Sequence, residues 1–240
     1  MRLKDKLKGL LGRRLSADLM EKLTEYSLLQ REDSVSLKGS QLVSMPGTSW
    51  SEVADAGRRE LWKRTLERIG SSDILLLEFG VFRGESMREL VQLNRSANSR
   101  FYGFDSFEGL PEVWRGTSKE QFSTGGQVPD IDDPRLRFVR GWFRDSLPPL
   151  MDELAALAAG RALIVHFDAD LYSSTLYLLF ELARRFDSYH FIFDEYGGHE
   201  VRALYNFMQA TGATCDFYHH VEWQGLPTAV SGHLKLPPRG

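Results

Sequence analysis

Five short apolar runs punctuate the middle of this chain, and four of them carry a carboxylate at their end. They are Ile74–Phe79 (with Glu78), Phe101–Asp105, Leu136–Val139, Ala162–Asp168 and Tyr189–Asp194. Runs of this length, nearly continuous in apolar residues, read as strands buried on both faces. Between them lie segments with helical spacing, near Ser86–Leu93, Ser146–Ala158, Ser173–Phe186 and Glu200–Thr211. Strand and helix in alternation predict a mostly parallel sheet with helices on both faces, a doubly wound α/β domain. The tail, Thr214–Trp223 and Thr228–Leu236 around Gly225 and Pro227, reads as a closing antiparallel hairpin. Acids are costly inside such a sheet and sit where the backbone leaves it, which is also where an open α/β sheet receives its ligand.

The first third of the chain is organised differently. Residues 1–31 have Leu3, Leu7, Leu10 and Leu11, then Leu15, Leu19 and Leu23, at helical spacing. Their basic residues would suit a membrane surface, but packing on the chain's own domain or on a sister subunit is the simpler reading. Ser34 to Ser49 has no period and contains Gly39, Pro46 and Gly47, so it reads as a loop. Ser51 reads as the N-cap of a helix from Glu52 to Ile69, with Leu61, Trp62, Thr65, Leu66 and Ile69 on its buried face. The expected division is a helical and lid segment over 1–70 and a ligand-binding domain over 71–240. No run is apolar for long enough to span a membrane. A formal net charge of -3 argues against a chain that grips nucleic acid phosphates. Cys215 is the one cysteine, which rules out an intrachain disulfide and a cysteine zinc site, and fits a reducing, cytoplasmic setting.

Glu78-Phe-Gly80-Val-Phe-Arg-Gly84-Glu-Ser86 joins the first of the five runs to the helix behind it. Gly80 permits a tight turn and close approach of a ligand, and Gly84 lets the chain enter the helix, whose N-terminal amides can meet an anion. A Gly-x-x-x-Gly turn alone is equally an ordinary strand-to-helix connection. Glu78, just before the turn, suits a cationic amino group and would repel a pyrophosphate, and Gly-x-Gly-x-x-Gly is absent. Asp105 is placed to accept hydrogen bonds from ribose hydroxyls, with Ser106 beside it; the plain alternative makes Asp105 a turn cap. Together these residues describe a ligand with an adenosine end and an amino-acid end, as S-adenosylmethionine has. Trp142 and Phe143 are the candidate adenine wall, or else cover the core.

His166-Phe-Asp168-Ala-Asp170-Leu-Tyr172 and Asp194-Glu195-Tyr196-Gly-Gly198 end the fourth and fifth runs. Adjacent strand ends bring these carboxylates together, and like charges need a cation or a shared proton. Oxygen donors suit Mg²⁺, with Mn²⁺ or Ca²⁺ as alternatives; the other reading makes them helix caps and solvated loop acids. His166, in an apolar strand, reads as a core residue. His199, after two glycines, is a weaker candidate for a catalytic base. Trp114, Tyr172 and Tyr196 are candidates for an acceptor pocket. The connection Pro111–Asp133 is long for a strand link, and with residues 34–50 it is expected to form a lid.

At Glu78–Gly84, Gly103-Phe-Asp105-Ser-Phe-Glu-Gly109-Leu-Pro111, Gly141-Trp-Phe, Asp168-Ala-Asp170-Leu-Tyr172-Ser-Ser-Thr175 and Asp194-Glu-Tyr196-Gly, the chain resembles the macrocin O-methyltransferase family. The resemblance runs over roughly residues 73–222. It implies a Rossmann-like class I methyltransferase with a seven-stranded sheet; the N-terminal helical extension rests on the spacing above, since the first 50 residues carry little of the resemblance. It also implies S-adenosylmethionine as cofactor, Mg²⁺, and a hydroxylated acceptor, in the first place a sugar on a natural product. Asp168, Asp194 and Glu195 match the family's metal-binding acids, and Asp170 matches a proposed general base. The chain departs from the pattern at Glu195, where the family usually has a second aspartate. The expected chemistry is deprotonation of a metal-bound hydroxyl by Asp170, then attack on the cofactor methyl, in an enzyme expected to be a homo-oligomer. Readings from other classes are a metal-independent methyltransferase, a non-catalytic cofactor-binding protein and a nicotinamide-dependent oxidoreductase.

Overall fold

The computed structural model describes residues 35–45, 49–114, 116–223 and 225–239. The expected helices over 1–31 lie outside them. Eight strands form one sheet: β1 (Gln41–Val43), β2 (Ile74–Phe79), β3 (Arg100–Asp105), β4 (Leu136–Arg140), β5 (Ala162–Phe167), β6 (Ser188–Phe193), β7 (Thr214–Trp223) and β8 (Leu226–Lys235). Their order across the sheet is β1-β7-β8-β6-β5-β2-β3-β4. All neighbours are parallel except β8, which runs antiparallel to both β6 and β7. The chain steps outward from β2 to β3 and β4, then returns to β5 on the other side. That reversal leaves a crevice at the carboxyl ends of β2 and β5.

The helices are α1 (Trp50–Ile69), α2 (Glu85–Leu93), α3 (Phe143–Ser146), α4 (Met151–Ala158), α5 (Tyr172–Ala183) and α6 (Val201–Thr211). Alternation along each strand divides the core into two layers. Leu75, Leu77, Phe79, Val165, Phe167, Phe191 and Phe193 pack against α4, α5 and α6. Ile74, Leu76, Ile164 and Ile192 face the other way, against Leu61 and Trp62 of α1 and Met87, Leu90 and Val91 of α2. At the carboxyl end of the first layer stands a row of aromatic rings in register. Phe104 stacks on Phe79 at 4.9 Å between centroids, and Phe167 stacks on Phe193 at 4.6 Å. Among the described residues, no helix is long and apolar enough to cross a membrane.

Three local expectations are corrected. The sheet has an eighth strand, β1, inside the segment expected to be a loop; three residues paired to distant β7 leave no periodic signal. The helix expected from Glu52 behind an N-cap at Ser51 begins at Trp50, and Ser49 O accepts the Val53 amide at 3.2 Å. The single helix expected over Ser146–Ala158 is broken: Pro148–Leu150 form a 3₁₀ turn between α3 and α4. Pro148 and Pro149 supply no N–H to an α-helical ladder, so the chain tightens there.

Gly80 is where the turn after β2 depends on glycine. Its φ is +98°, and a Cβ there would lie 1.8 Å from the carbonyl oxygen of Asp168. The Asp168 amide donates to Phe79 O at 2.9 Å and the Gly80 amide to Phe104 O at 3.0 Å, so the turn is held from both sides. Gly80→Ala should therefore cost at least about 2 kcal/mol of stability, read from urea unfolding with an unchanged m-value. An equally stable variant would show that the strands can part.

On the far side of the sheet, His190 stacks on His233 at 4.6 Å, with Tyr218 Oη 3.1 Å from its Nδ1. Burial, assisted by His233, pushes the His190 imidazole down to about 4. Unfolded, it takes up a proton below about pH 6.5. Stability should thus be full above about pH 6.5 and fall as pH drops from there through about 4. The thermal midpoint should decline between pH 7 and 5, and less so in His190→Gln; equal declines would remove His190 from the account. His219, His220 and His233, also shifted down by burial, add to the decline, whereas His166, Asp168 and Glu200 are shifted up and oppose it, so the difference between wild type and His190→Gln isolates the share of His190.

Candidate active site

The crevice between β2 and β5 opens into a cavity of about 750 Å³, within the range of small-molecule sites. One end is walled by Asp105, Ser106, Trp142 and Phe143, the other by Asp168, Asp170, Trp114 and Glu195. Gly80 lies between them.

The turn between β2 and α2 is held by Asp105. Its Oδ2 accepts the Val81 and Phe82 amides, both at 2.8 Å, and its Oδ1 accepts the Phe107 amide at 2.7 Å. A carboxylate offers about four acceptor positions, so Asp105 caps the turn and still faces the cavity. Ser106 Oγ donates to Gly109 O at 2.9 Å and steadies the next bend. Gly84 takes φ +75° at the start of α2 and sits against Pro129 and Ile131, so its small size serves loop packing. Phe143 meets Phe79 edge-on at 5.5 Å and Trp142 precedes it, so the flat wall is anchored to the aromatic row of the core.

Glu78 is placed differently from expectation. It is fully buried beneath the turn and lines neither the cavity nor its neighbour. Its Oε1 accepts the Ser86 hydroxyl at 2.5 Å and lies 3.0 Å from His166 Nδ1, while its Oε2 is buried without a hydrogen-bond partner among the described residues. His166 is a core residue with a task. Its Nε2 is 3.0 Å from Asp194 Oδ1, so it bridges the ends of β2 and β6 from β5. Burial pushes the His166 imidazole down, but Asp194 and Glu78 outweigh it and hold it well above its ordinary value.

Asp194 has its second oxygen on Arg58, which no sequence argument above singled out. Arg58 Nη1 donates to Asp194 Oδ2 at 3.0 Å. Burial alone would push the Asp194 carboxyl up; His166 and Arg58 reverse this and hold it at about 2. The signal was present in α1, since Arg58 stands four residues before Trp62 and so extends the buried face by one turn. Trp62 meets His166 edge-on at 5.7 Å, which fixes Arg58 above Asp194. A second group the sequence did not reveal is Glu200, fully buried in a π-helical turn over Tyr196–Glu200. Its Oε2 accepts the Glu195 amide at 2.9 Å, and burial, with Asp168 adding to it, pushes its carboxyl up.

Asp168 and Asp170 line the cavity. Burial first, then Asp194 and Asp170, push the Asp168 carboxyl well above the usual range. Asp170 takes φ +58°, a left-handed conformation uncommon outside glycine and frequent at functional sites. Its carbonyl accepts the Trp114 indole at 3.2 Å. His199 does not line the cavity; its Nδ1 accepts the Tyr172 amide at 3.4 Å. Of the aromatics expected in the acceptor pocket, only Trp114 lines it. The Tyr196 hydroxyl donates to Val35 O at 3.0 Å inside the core, and the Tyr172 hydroxyl accepts Asn206 Nδ2 at 2.8 Å; Tyr177 and Ser173 line the wall instead.

The three acids that the resemblance assigns to a metal are not assembled as one set. Among the described residues, no group of three His, Cys, Asp or Glu side chains converges to hold a metal ion. Both oxygens of Asp194 already receive N–H donors, and Asp194 faces a smaller hollow of about 390 Å³ while Glu195 faces the main cavity. These side chains, so arranged, do not fit an octahedral oxygen site. The cavity does fit an adenosyl group, with a flat aromatic wall at Trp142 and Phe143 and a carboxylate at Asp105.

The fold is shared with a solved protein. A solved structure of the O-methyltransferase NovP superposes with a TM-score of 0.51 at 22% identity, covering 76% of this chain and 80% of that one. The 8-demethyl-8-(2,3-dimethoxy-alpha-L-rhamnosyl)-tetracenomycin-C 4'-O-methyltransferase of Streptomyces olivaceus is 31% identical over 143 residues, 50% of this chain and 52% of that protein. The demethyldecarbamoylnovobiocin O-methyltransferase of Streptomyces niveus is 30% identical over 122 residues, 42% and 44% of the two chains. Each match thus spans about half the length of the curated relative, 52% and 44%. The sequence model of macrocin-O-methyltransferase (TylF) matches residues 44–226, from before α1 to the first residue of β8. The chain belongs to the macrocin O-methyltransferase family.

Proposed function

We propose that this protein transfers the methyl group of S-adenosylmethionine to a hydroxyl of a sugar carried on a natural product. The observation that carries the reading is the two-ended cavity. A flat wall and Asp105 stand at one end, paired aspartates at the other, and Gly80 lies between. Family membership supports the reaction class, and the rhamnosyl unit in the name of the Streptomyces olivaceus relative supports a sugar as acceptor.

When bound, the cofactor supplies an electrophilic methyl group on a sulfonium. Trp142 and Phe143 would flank the adenine, and the remaining acceptor capacity of Asp105 would take the ribose hydroxyls. Asp170, held by its strained backbone at the acceptor end, takes the proton of the attacking hydroxyl. With that proton on Asp170, the oxygen would take up the methyl group, whose bond to sulfur would break to leave a neutral thioether. No covalent enzyme intermediate is needed, so positioning supplies most of the acceleration. The connection over residues 111–133 covers the acceptor end. Leu110, Pro111, Trp114 and Phe122 line the cavity, and Ser173 Oγ donates to Glu112 Oε1 at 2.5 Å.

Calorimetric titration with S-adenosylhomocysteine should show micromolar binding to the chelator-treated protein. Asp170→Asn should retain that affinity within about twofold and lose at least about 100-fold in kcat on a sugar acceptor that the wild type methylates, the contribution expected of a general base. Absence of binding would overturn the cofactor, and a fully active Asp170→Asn would overturn the base. Limited proteolysis within residues 111–133 should slow when cofactor product and acceptor are both present; an unchanged rate would reject a cover that closes.

A further inference from the structure

We infer that Arg58 is the resident cation of the carboxylate cluster in this chain, holding the place where its family resemblance implies a divalent metal ion. The consequence for catalysis rests on the methyltransferase reading above; the placement rests on geometry alone.

Asp194 is the acid any such ion would need, because it ends β6 beside Asp168 at the end of β5. Its side chain is 1% exposed, and its two oxygens are taken at 3.0 Å each, by His166 from the neighbouring strand and by Arg58 from α1. Lone pairs remain on Asp194, so what opposes a metal ion there is charge: it would sit against two cationic donors already in place, the guanidinium of Arg58 and the imidazole of His166. His166 is fixed between Glu78 and Asp194 and covered by Trp62. Arg58 is fixed by its helix, one turn before Trp62, and by a second bond from Nη2 to Asp55 Oδ1 at 3.3 Å. Among the described residues it is also the one cationic side chain that lines both the main cavity and the smaller hollow.

The chemistry of the guanidinium suits the role. It keeps its charge at any working pH and carries five N–H donors in a plane. Bonds to Asp194 and Asp55 use two of them, and the side chain is 28% exposed and lines the main cavity. A neighbouring pair of sugar hydroxyls can receive the remaining donors, as it would receive a metal ion. As the attacking hydroxyl gives its proton to Asp170 and gains the methyl carbon, the guanidinium offsets the charge gathering on oxygen. The Asp-to-Glu change at Glu195 agrees with this. A residue that faces the cavity with no metal to reach has no need of the shorter side chain.

The test is a Mn²⁺ titration of the chelator-treated full chain, following free Mn²⁺ by electron paramagnetic resonance, with S-adenosylhomocysteine calorimetry on the same samples. Wild type should leave Mn²⁺ free into the millimolar range. Arg58→Gln should bind one equivalent at least about tenfold more tightly than wild type, and Asp194→Asn in that background should abolish the gain. Arg58→Lys, which keeps the charge, should stay blind to Mn²⁺. Micromolar, stoichiometric binding by wild type that is lost in Asp194→Asn would overturn the inference, and so would a folded Arg58→Gln that gains no site. Should Arg58→Gln fail to fold by circular dichroism, the wild-type and Arg58→Lys titrations decide by themselves. A wild type that binds neither Mn²⁺ nor S-adenosylhomocysteine would sink the cofactor reading while leaving Arg58 in place.

Discussion

Two carboxyl groups at the ends of β2 and β6 are buried beneath α1, and the sheet can close over them only because His166 stands between. Glu78, His166 and Asp194 lie on one face of three adjacent strands, with Ser86 bonded at one end and Arg58 at the other. An unpaired charge at such depth would cost several kcal/mol, and breaking one member of a buried pair typically costs about 3–5 kcal/mol. The chain of contacts therefore ties α1 and α2 to the sheet at the end where the cavity opens. It is a weak source of net stability, since an apolar layer would close the same gap, but it fixes which residues face which.

The opposite face of the same strands shows the alternative. There Phe79, Phe104, Phe167 and Phe193 form an apolar row at nearly the same height as the polar chain. Alternation along β2 places Glu78 on one side and Phe79 on the other; β5 does the same with His166 and Phe167, and β6 with Phe193 and Asp194. The aromatic row carries Phe143 and with it the flat wall of the cavity. The polar chain carries Arg58 to the other end. The two ends of the cavity are thus built on the two faces of one sheet, and their separation follows from the pleat.

The strands and their acids were legible because both signals are local: an apolar run, then a carboxylate. Gly80 was legible as a turn, yet its partner is the carbonyl of Asp168, a contact that only the strand order reveals. β1 was not legible, because three residues on an edge take their identity from a partner far along the chain. The break at Pro148 and Pro149 was readable in principle and was overridden by the apolar spacing around it. Arg58 was hidden by its type: an arginine on a helix is usually solvated, and only the burial of Trp62 four residues later reveals where it points. Glu200 was hidden likewise, since its burial depends on a π-helical turn with a strongly non-helical Gly198 inside it.

Asp194 and Glu195 show why a motif does not carry its geometry with it. Consecutive residues leaving a strand point to opposite sides, so only a further bend in the backbone brings both carboxylates onto one ion. Here the chain enters the π-helical turn directly, with Glu195 already outside the strand region at φ -126° and ψ 47°, and the two acids face different hollows. Asp194 then finds its cations within the protein, from β5 and from α1. Once a guanidinium supplies that charge, the length of the next side chain is free to change. Glu195 and Arg58 are in this view parts of one arrangement, in which a fixed side-chain cation performs the task of an exchangeable one.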